Sequence, residues 1–263
     1  MENISFKYGK KYVNHCAERG GRLMKGVILA GGSGTRLKPM TRFLNKHLLP
    51  VGPYPMIHYA ISKMAEVGIS DILLVTGKHS GGLFIDYIGS GREWNVRMSF
   101  KVQEEPGGIA QALSLAEDFV NPREKFVVLL GDNLFEDSLK EEFARFREQP
   151  VQARVFLKKI EDPRRYGVPV MDGSRIVRIE EKPELPKSSY CVTGIYMYDA
   201  GVFDIIRTIQ PSARGEMEIT EVNNRYAARG MLSYGILNGW WIDAGTHLSF
   251  MEAAQRMAGE ATP

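Results

Sequence analysis

Residues 25–36 read KGVILAGGSGTR. A short apolar run, Lys25 to Ala30, ends in three glycines within four residues, the pattern of a buried strand whose end opens into a loop. Without Cβ atoms at Gly31, Gly32 and Gly34, backbone N–H groups can approach and surround an anion. A P-loop would need Lys and then Ser or Thr after its last glycine, whereas Gly34 is followed by Thr35 and Arg36. A dinucleotide fingerprint would need a third glycine three residues beyond the second and an acid about 20 residues further on. Leu37 holds the first place and no acid stands near the second. The loop is therefore a strand-end glycine turn of another kind, still suited to phosphate.

The charge around the loop supports an anion. No carboxylate occurs between Glu18 and Glu66, while residues 24–65 contain Lys25, Arg36, Lys38, Arg42, Lys46 and Lys63. A basic run is ordinarily a solvated surface; the glycine loop inside this one favours a polyanion pocket.

Working outward, Ile57, Ala60, Ile61 and Met64 repeat at helical spacing, so the pattern predicts an amphipathic helix over 56–67 with Gly68 as its stop. DILLVT (71–76), VRMSFKVQ (96–103) and FVVLL (126–130) read as strands, with a helix over 109–119 between the last two. Strand, helix and strand in succession imply right-handed parallel crossovers with helices on both faces of one sheet. After Pro150 the runs ARVFLKK, YGVPVMD, RIVRIEE and YCVTGIYMYD are separated by turns, and helical patterns return at 201–208, 218–228 and 246–258. The expected architecture is α/β: a Rossmann-like, mixed and mainly parallel sheet, with a smaller sugar-binding layer. One domain over 24–263 is expected, divided into a nucleotide-binding half (24–150) and a sugar-phosphate-binding half (151–263).

The chain has 263 residues, 44% hydrophobic and 25% charged, as in ordinary globular proteins. No apolar run reaches the roughly 18 residues of a membrane span. Cys16 and Cys191 argue against a disulfide framework, and a cytoplasmic setting is expected. Residues 1–23 carry five basic and two acidic side chains, leaving 29 of each beyond, so the net charge of +3 belongs to this leader. It reads as a flexible arm; Met24, directly before KGVILA, is an equally suitable beginning. The basic stretch surrounds one loop without interleaved aromatics, which argues against nucleic acid.

Chemistry on phosphate normally calls for Mg²⁺, which takes a few carboxylates together with phosphate oxygens. Asp132 in LLGDN follows a predicted parallel strand, where ligands bind in such sheets, though an Asp there can equally cap a helix or make a turn. Asp243 in GWWIDAGTH is similar, preceding a helix that Thr246 could cap.

In order along the chain stand LAGGSGTRLKPMT, NKHLLPVGPYPMI, EEPGGIAQAL, LLGDN, RYGV, EEKP, VTGIYMYD, SARGEMEIT and WIDAGTH. Together they resemble the sugar-1-phosphate nucleotidyltransferases, in particular the thymidylyltransferase branch, over nearly all of the chain after the leader. The resemblance implies Mg²⁺-dependent transfer of a nucleotidyl group from dTTP to glucose 1-phosphate, giving dTDP-glucose and pyrophosphate without a covalent intermediate. It implies that Leu29, Gly31, Gly32, Gly34 and Thr35 wrap the nucleotide, that Arg36 and Lys46 hold the β- and γ-phosphates, and that Asp132 and Asp243 bind the metal. Gln103 and Gly108 fall at the base; Tyr166, Gly167, Glu181, Lys182 and Gly194 fall on the sugar-phosphate side, with Arg214 a further phosphate or subunit-contact candidate. A homo-oligomer is implied as well.

Two alternatives stay open: the same reaction with UTP, because a pocket gains only about 1 to 3 kcal/mol from a methyl group, and a non-catalytic sugar-nucleotide-sensing module. The module would be expected to lose Lys46 or the metal acids, and all three are present. Two features depart from the family pattern. His47 stands where Gln is usual; an imidazole there could still donate to a phosphate, and its protonation would make activity vary with pH near its reference pKa of about 6.5. The chain also ends soon after Asp243, so a C-terminal regulatory nucleotide site is not expected.

Overall fold

In the computed structural model, residues 24–32, 34–150 and 152–260 are described; the leader with Cys16 lies outside them. Strand β1 (Lys25–Ala30) runs parallel to two neighbours, with Ile28 opposite Leu74 on one side and Leu129 on the other. Its side chains alternate between faces, and both faces are buried. Val27 and Leu29 pack with Phe126 and Val128, whereas Ile28 and Ala30 pack with Ile57, Ile61 and Leu74. A strand covered on both sides has no place for a polar residue, which is why this segment is apolar throughout.

The first half follows the expected order. A short hairpin, β2 (Pro50–Val51) and β3 (Tyr54–Pro55), leads into α1 (Met56–Glu66), and the chain turns at Gly68, whose φ of 84° suits glycine. Next come β4 (Asp71–Gly77), α2 (Gly81–Ile88), β5 (Arg97–Gln103), α3 (Ile109–Ser114) and β6 (Lys125–Leu130). Helix α2 was not predicted, because it opens on two glycines, poor helix formers; burial of Phe84 and Ile88 against the sheet stabilises it instead. Helix α3 is shorter than expected. After Ser114 the hydrogen bonds tighten to the i→i−3 pattern, as from Ala116 N to Leu113 O and from Phe119 N to Ala116 O, so the segment reaches Phe119 as turns.

Strand β7 (Asn133–Phe135) and α4 (Lys140–Glu148) close this half. Helix α4 is charged except at Phe143, Ala144 and Phe146, and the two phenylalanines are three residues apart and both buried. Beyond it lie β8 (Ala153–Lys159), the antiparallel pair β9 (Gly167–Asp172) and β10 (Arg175–Glu181), β11 (Tyr190–Asp199), α5 (Val202–Ile206), α6 (Ile219–Ala228), β12 (Leu232–Ile236), β13 (Trp241–Asp243) and α7 (His247–Glu260).

The central sheet has the order β12-β8-β11-β6-β1-β4-β5. It is parallel from β6 to β5; β11 runs antiparallel to both β6 and β8, and β12 is parallel to β8. Pairs β9–β10 and β7–β13 stand outside it as two-stranded ladders. Asn224 on α6 clamps the first of these by accepting from Ile179 N (2.7 Å) and donating to Ile179 O (3.0 Å). Among the described residues no helix is long and apolar enough to cross a membrane.

Candidate active site

The ends of β1 and β6 lie side by side, Leu29 opposite Leu130, and the loops that leave them border an open cleft of about 710 Å³. Every residue proposed above for the nucleotide, the sugar phosphate or the metal lines this cleft, as does Arg214. Gly34 takes the left-handed conformation (φ 62°) and accepts a hydrogen bond from the Thr41 hydroxyl (2.7 Å), turning the chain into a tight helical turn at Thr35–Leu37. Gly31 lies against Gln103, so close that a Cβ would sit 2.0 Å from Gln103 Oε1. Gln103 ends β5, two strands away, and reaches Gly31 across Gly77, its partner in the β4–β5 register. Gly108 (φ 99°) would place a Cβ 2.6 Å from Met217 O, so this glycine is required by the backbone bridge from Met217 N to Gly107 O (2.8 Å).

The two aspartates are 111 positions apart and are brought together by the small β7–β13 ladder. Asn133 is opposite Asp243 in its register, and Ala244 N donates to Asp132 O (2.9 Å). A Cβ on Gly245 would lie 2.9 Å from Asp243 Oδ1, 3.7 Å from Asp132 Oδ2 and 3.3 Å from an Arg36 guanidinium nitrogen, which locates the convergence of all three groups. Lys46 donates to Asp132 Oδ2 and passes under Gly32, where a Cβ would lie 3.5 Å from its Cε. Burial alone would raise the Asp132 carboxyl, but the Lys46 ammonium, with help from the Asn133 amide, holds it well below the usual carboxylate range. Asp243 is pushed up to about 6, by burial first and by Asp132 second, with Lys46, Arg36 and Arg165 opposing. Two buried carboxylates with incomplete compensation suit a divalent cation that takes the rest of its shell from substrate phosphates and water. Among the described residues no group of three or more His, Cys, Asp or Glu is placed to hold a metal.

His47 is not the imidazole titrating near 6.5 that the sequence led us to expect. It is buried, its Nδ1 is 2.7 Å from Asn45 Oδ1, and burial together with Lys46 pushes its pKa down to about 3. It is therefore neutral at physiological pH, and the expected titration near 6.5 does not occur in the folded chain. The consequence lies in stability. Between pH 6.5 and about 3 the unfolded chain binds the His47 proton and the folded chain does not, so this residue's contribution to stability falls as pH drops below 6.5. Asp243 acts with the opposite sign, because its folded pKa is raised. The difference between the wild-type chain and a His47→Gln variant isolates the histidine. In urea unfolding from pH 6.5 to 4.5, the wild-type chain should lose more stability per pH unit than the variant, by up to about 1.4 kcal/mol; equal slopes would mean that His47 is protonated in the folded state.

On the opposite wall, Tyr166 packs edge to face with Trp241, their centroids 5.4 Å apart. Gly167 admits Glu181 and Thr220: a Cβ there would be 3.3 Å from Thr220 Oγ1 and 3.8 Å from Glu181 Oε2. Glu181 accepts from Thr220 and pairs with Lys182 (3.2 Å) and Arg214 (3.3 Å). Lys182 sits in the left-handed region (φ 45°), where few side chains are stable, held by its N–H to Tyr166 O (3.0 Å). Gly194 is filled by the Asn133 carboxamide, whose Oδ1 accepts from Gly194 N and from Trp241 Nε1, both at 2.8 Å. A methyl at Gly194 would meet Asn133 at 2.7 Å, so Gly194→Ala should lower unfolding free energy by about 1 to 3 kcal/mol in urea titration. An unchanged midpoint would show that Asn133 moves aside freely.

Of the six basic residues within 24–65, only Arg36 and Lys46 line the cleft. Lys25 begins β1 at the far end and pairs with Glu124, and Lys63 caps the carbonyls of Glu136 and Asp137. The positive charge is made up by Arg164, Arg165, Lys182 and Arg214 from the second half. Arg164 and Arg165 were missed, although Arg165 opens the RYGV motif and Arg164 precedes it; so was Asn133, which directly follows Asp132.

A family model described as nucleotidyl transferase matches residues 25–260. Glucose-1-phosphate thymidylyltransferase of Neisseria meningitidis serogroup A is 43% identical over 235 residues, 88% of this chain and 81% of that protein. Its counterpart in Xanthomonas campestris pv. campestris (strain B100) is 44% identical over 234 residues, 88% and 79% of the two chains. A crystal structure from Bacillus anthracis, assigned to the same enzyme and complexed with a sucrose, superposes with a TM-score of 0.86 at 50% identity, covering 89% of this chain and 95% of that one. UDP-glucose pyrophosphorylase, with a TM-score of 0.80 at 23% identity, shares the fold. The match runs from the first residue of β1 to the last residue of α7, and it includes both aspartates and the glycine loop: this chain belongs to the nucleotidyl transferase family.

Proposed function

We propose that the chain is a Mg²⁺-dependent glucose-1-phosphate thymidylyltransferase, joining dTTP and glucose 1-phosphate to give dTDP-glucose and pyrophosphate. The observation that carries this reading is the convergence of Lys46, Arg36, Asp132 and Asp243 beside the glycine loop, in a chain 40–44% identical to proteins of that name. Residues 24–150 then serve as the nucleotide half of one domain and 151–263 as the sugar-phosphate half.

In this reading a phosphate oxygen of glucose 1-phosphate attacks the α-phosphorus of dTTP. The bond from that phosphorus to the bridging oxygen breaks, and its electron pair leaves with pyrophosphate. The attacking phosphate is already anionic, so no side chain has to take a proton. What the chain supplies is position and opposing charge. Leu29, Gly31, Gly32, Gly34 and Thr35 enclose the triphosphate; Gln103 and the backbone at Gly108 face the base; Arg36 and Lys46 oppose the charge on the departing pyrophosphate. Tyr166, Gly167, Glu181, Lys182 and Gly194 surround the sugar phosphate. Asp132 and Asp243 would hold Mg²⁺, which when bound neutralises phosphate charge and aligns the phosphates.

Pyrophosphate release from glucose 1-phosphate with each of dTTP, UTP, CTP and ATP tests this reading. Mg²⁺-dependent release, fastest with dTTP and abolished by a chelator, is expected. Faster release with UTP would make the chain a uridylyltransferase, and no release with any nucleotide would leave only the sensing role.

A further inference from the structure

Among the described side chains that line the cleft, Asn223 stands out because half of its carboxamide is unused. The residue is 1% exposed; its Oδ1 accepts from the Tyr198 hydroxyl (2.7 Å), and its Nδ2, fully buried, has no hydrogen-bond partner. A buried donor left unpaired is costly, and native proteins rarely retain one without a use for it. Tyr198 is stacked on Tyr196 and Tyr226, which holds its hydroxyl in place against the Asn223 carboxamide.

Its position indicates what the donor meets. Asn223 lies one turn after Thr220 on α6, and Thr220 donates to Glu181. The next residue, Asn224, clamps α6 to β10, which ends at Glu181. Glu181, Thr220, Asn223 and Tyr196 all line the cleft, and Glu181, which Thr220 contacts, is among the residues assigned to the sugar phosphate. A donor here, beside a carboxylate acceptor and two hydroxyls, suits the hydroxyl groups of a pyranose rather than a phosphate.

We propose that Asn223 is a specificity-determining residue whose Nδ2–H donates to a hydroxyl of the hexose ring. The inference rests on the transferase reading given above. It places one recognition group for the sugar on α6, one helical turn deeper than Thr220, and it accounts for the unpaired donor.

The test compares glucose 1-phosphate with its 2-, 3-, 4- and 6-deoxy analogues, using the wild-type chain and Asn223→Ala, with dTTP as nucleotide. Asn223→Ala should lower kcat/KM for glucose 1-phosphate by about 10-fold while KM for dTTP stays within about two-fold. One deoxy analogue should lose about 10-fold with the wild-type chain and less than about two-fold with the variant, because the hydroxyl and its donor are removed only once. Tyr198→Phe, which frees Oδ1 and leaves Nδ2 in place, should keep the wild-type preference among the analogues. Losses that add independently for all four analogues would overturn the proposal and assign Nδ2 to a bound water. If Asn223→Ala does not fold, Asn223→Ser serves the same cycle. Absence of turnover by the wild-type chain would instead sink the transferase reading itself, so the two failures are distinguishable.

Discussion

Asp132→Asn is expected to lower pyrophosphate release by about 10³-fold while leaving the chain folded. The substitution keeps the shape of the side chain and removes the charge that Lys46 and a bound cation would share. Its structural cost is small for a reason visible in the site. The Asp132 backbone is held by Ala244 N, and two carboxylates, Asp132 and Asp243, compete for Lys46 and Arg36. Neutralising Asp132 leaves Lys46 with Asp243 as its counter-charge and relieves the repulsion that raises Asp243. The thermal midpoint should stay within a few degrees of wild type. Turnover near normal would place the metal on other residues, and an unfolded variant would make Asp132 primarily a structural partner of Lys46.

Lys46→Ala should also lower turnover, by about 10²- to 10³-fold, but with the opposite effect on the fold. Removing the ammonium leaves two buried carboxylates side by side, with Arg36 and Arg165 as the remaining cations. Breaking a buried pair in this direction costs up to about 3 kcal/mol, because one charge remains without its partner. Lys46→Ala should therefore unfold at clearly lower urea concentration than Asp132→Asn, although both are nearly inactive. If the two variants were equally stable, Lys46 would not be the counter-ion that holds the acid pair, and its role would be confined to the substrate.

The contrast between these two variants could not have been argued without the structure. LAGGSGTR and LLGDN placed a glycine loop and an acid at the ends of parallel strands, and that inference needed only periodicity and the position of glycine. That Lys46 and Asp132 pair depends on where the nine residues between Arg36 and Lys46 carry the chain. The position of Lys46 in sequence contains nothing about that. His47 shows the same limit. Its neighbours in sequence are a lysine and a leucine, which suggest an imidazole that meets a phosphate; in space it is buried against Asn45 and Gly131, and burial together with Lys46 keeps it neutral against the opposing pull of Asp132.

The charge argument was right in direction and incomplete in its residues. An acid-free basic stretch around the glycine loop pointed to an anion. Of its six cations only two reach the cleft, because β1 and α1 carry Lys25 and Lys63 away from it. Arg164 and Arg165 replace them from a turn whose own sequence gives no sign that it folds over the loop.

Local pattern was enough for strands β1, β4, β5, β6 and β8 to β11, for helix α1 and for a mainly parallel sheet with helices on both faces, since these depend on side-chain periodicity and on where glycine and proline interrupt it; the short strands β2, β3, β7 and β13 and the edge strand β12 were not legible in it. Motif order was enough for the family. Pairings distant in sequence were decided by tertiary structure: β7 with β13, which brings Asp132 to Asp243, α6 with β10, which sets Asn223 into the cleft, and Gly77, which opens the way from Gln103 to Gly31. In each case the energy is small per contact and shared among residues far apart in the chain. Only the packed molecule shows which of many compatible pairings is made.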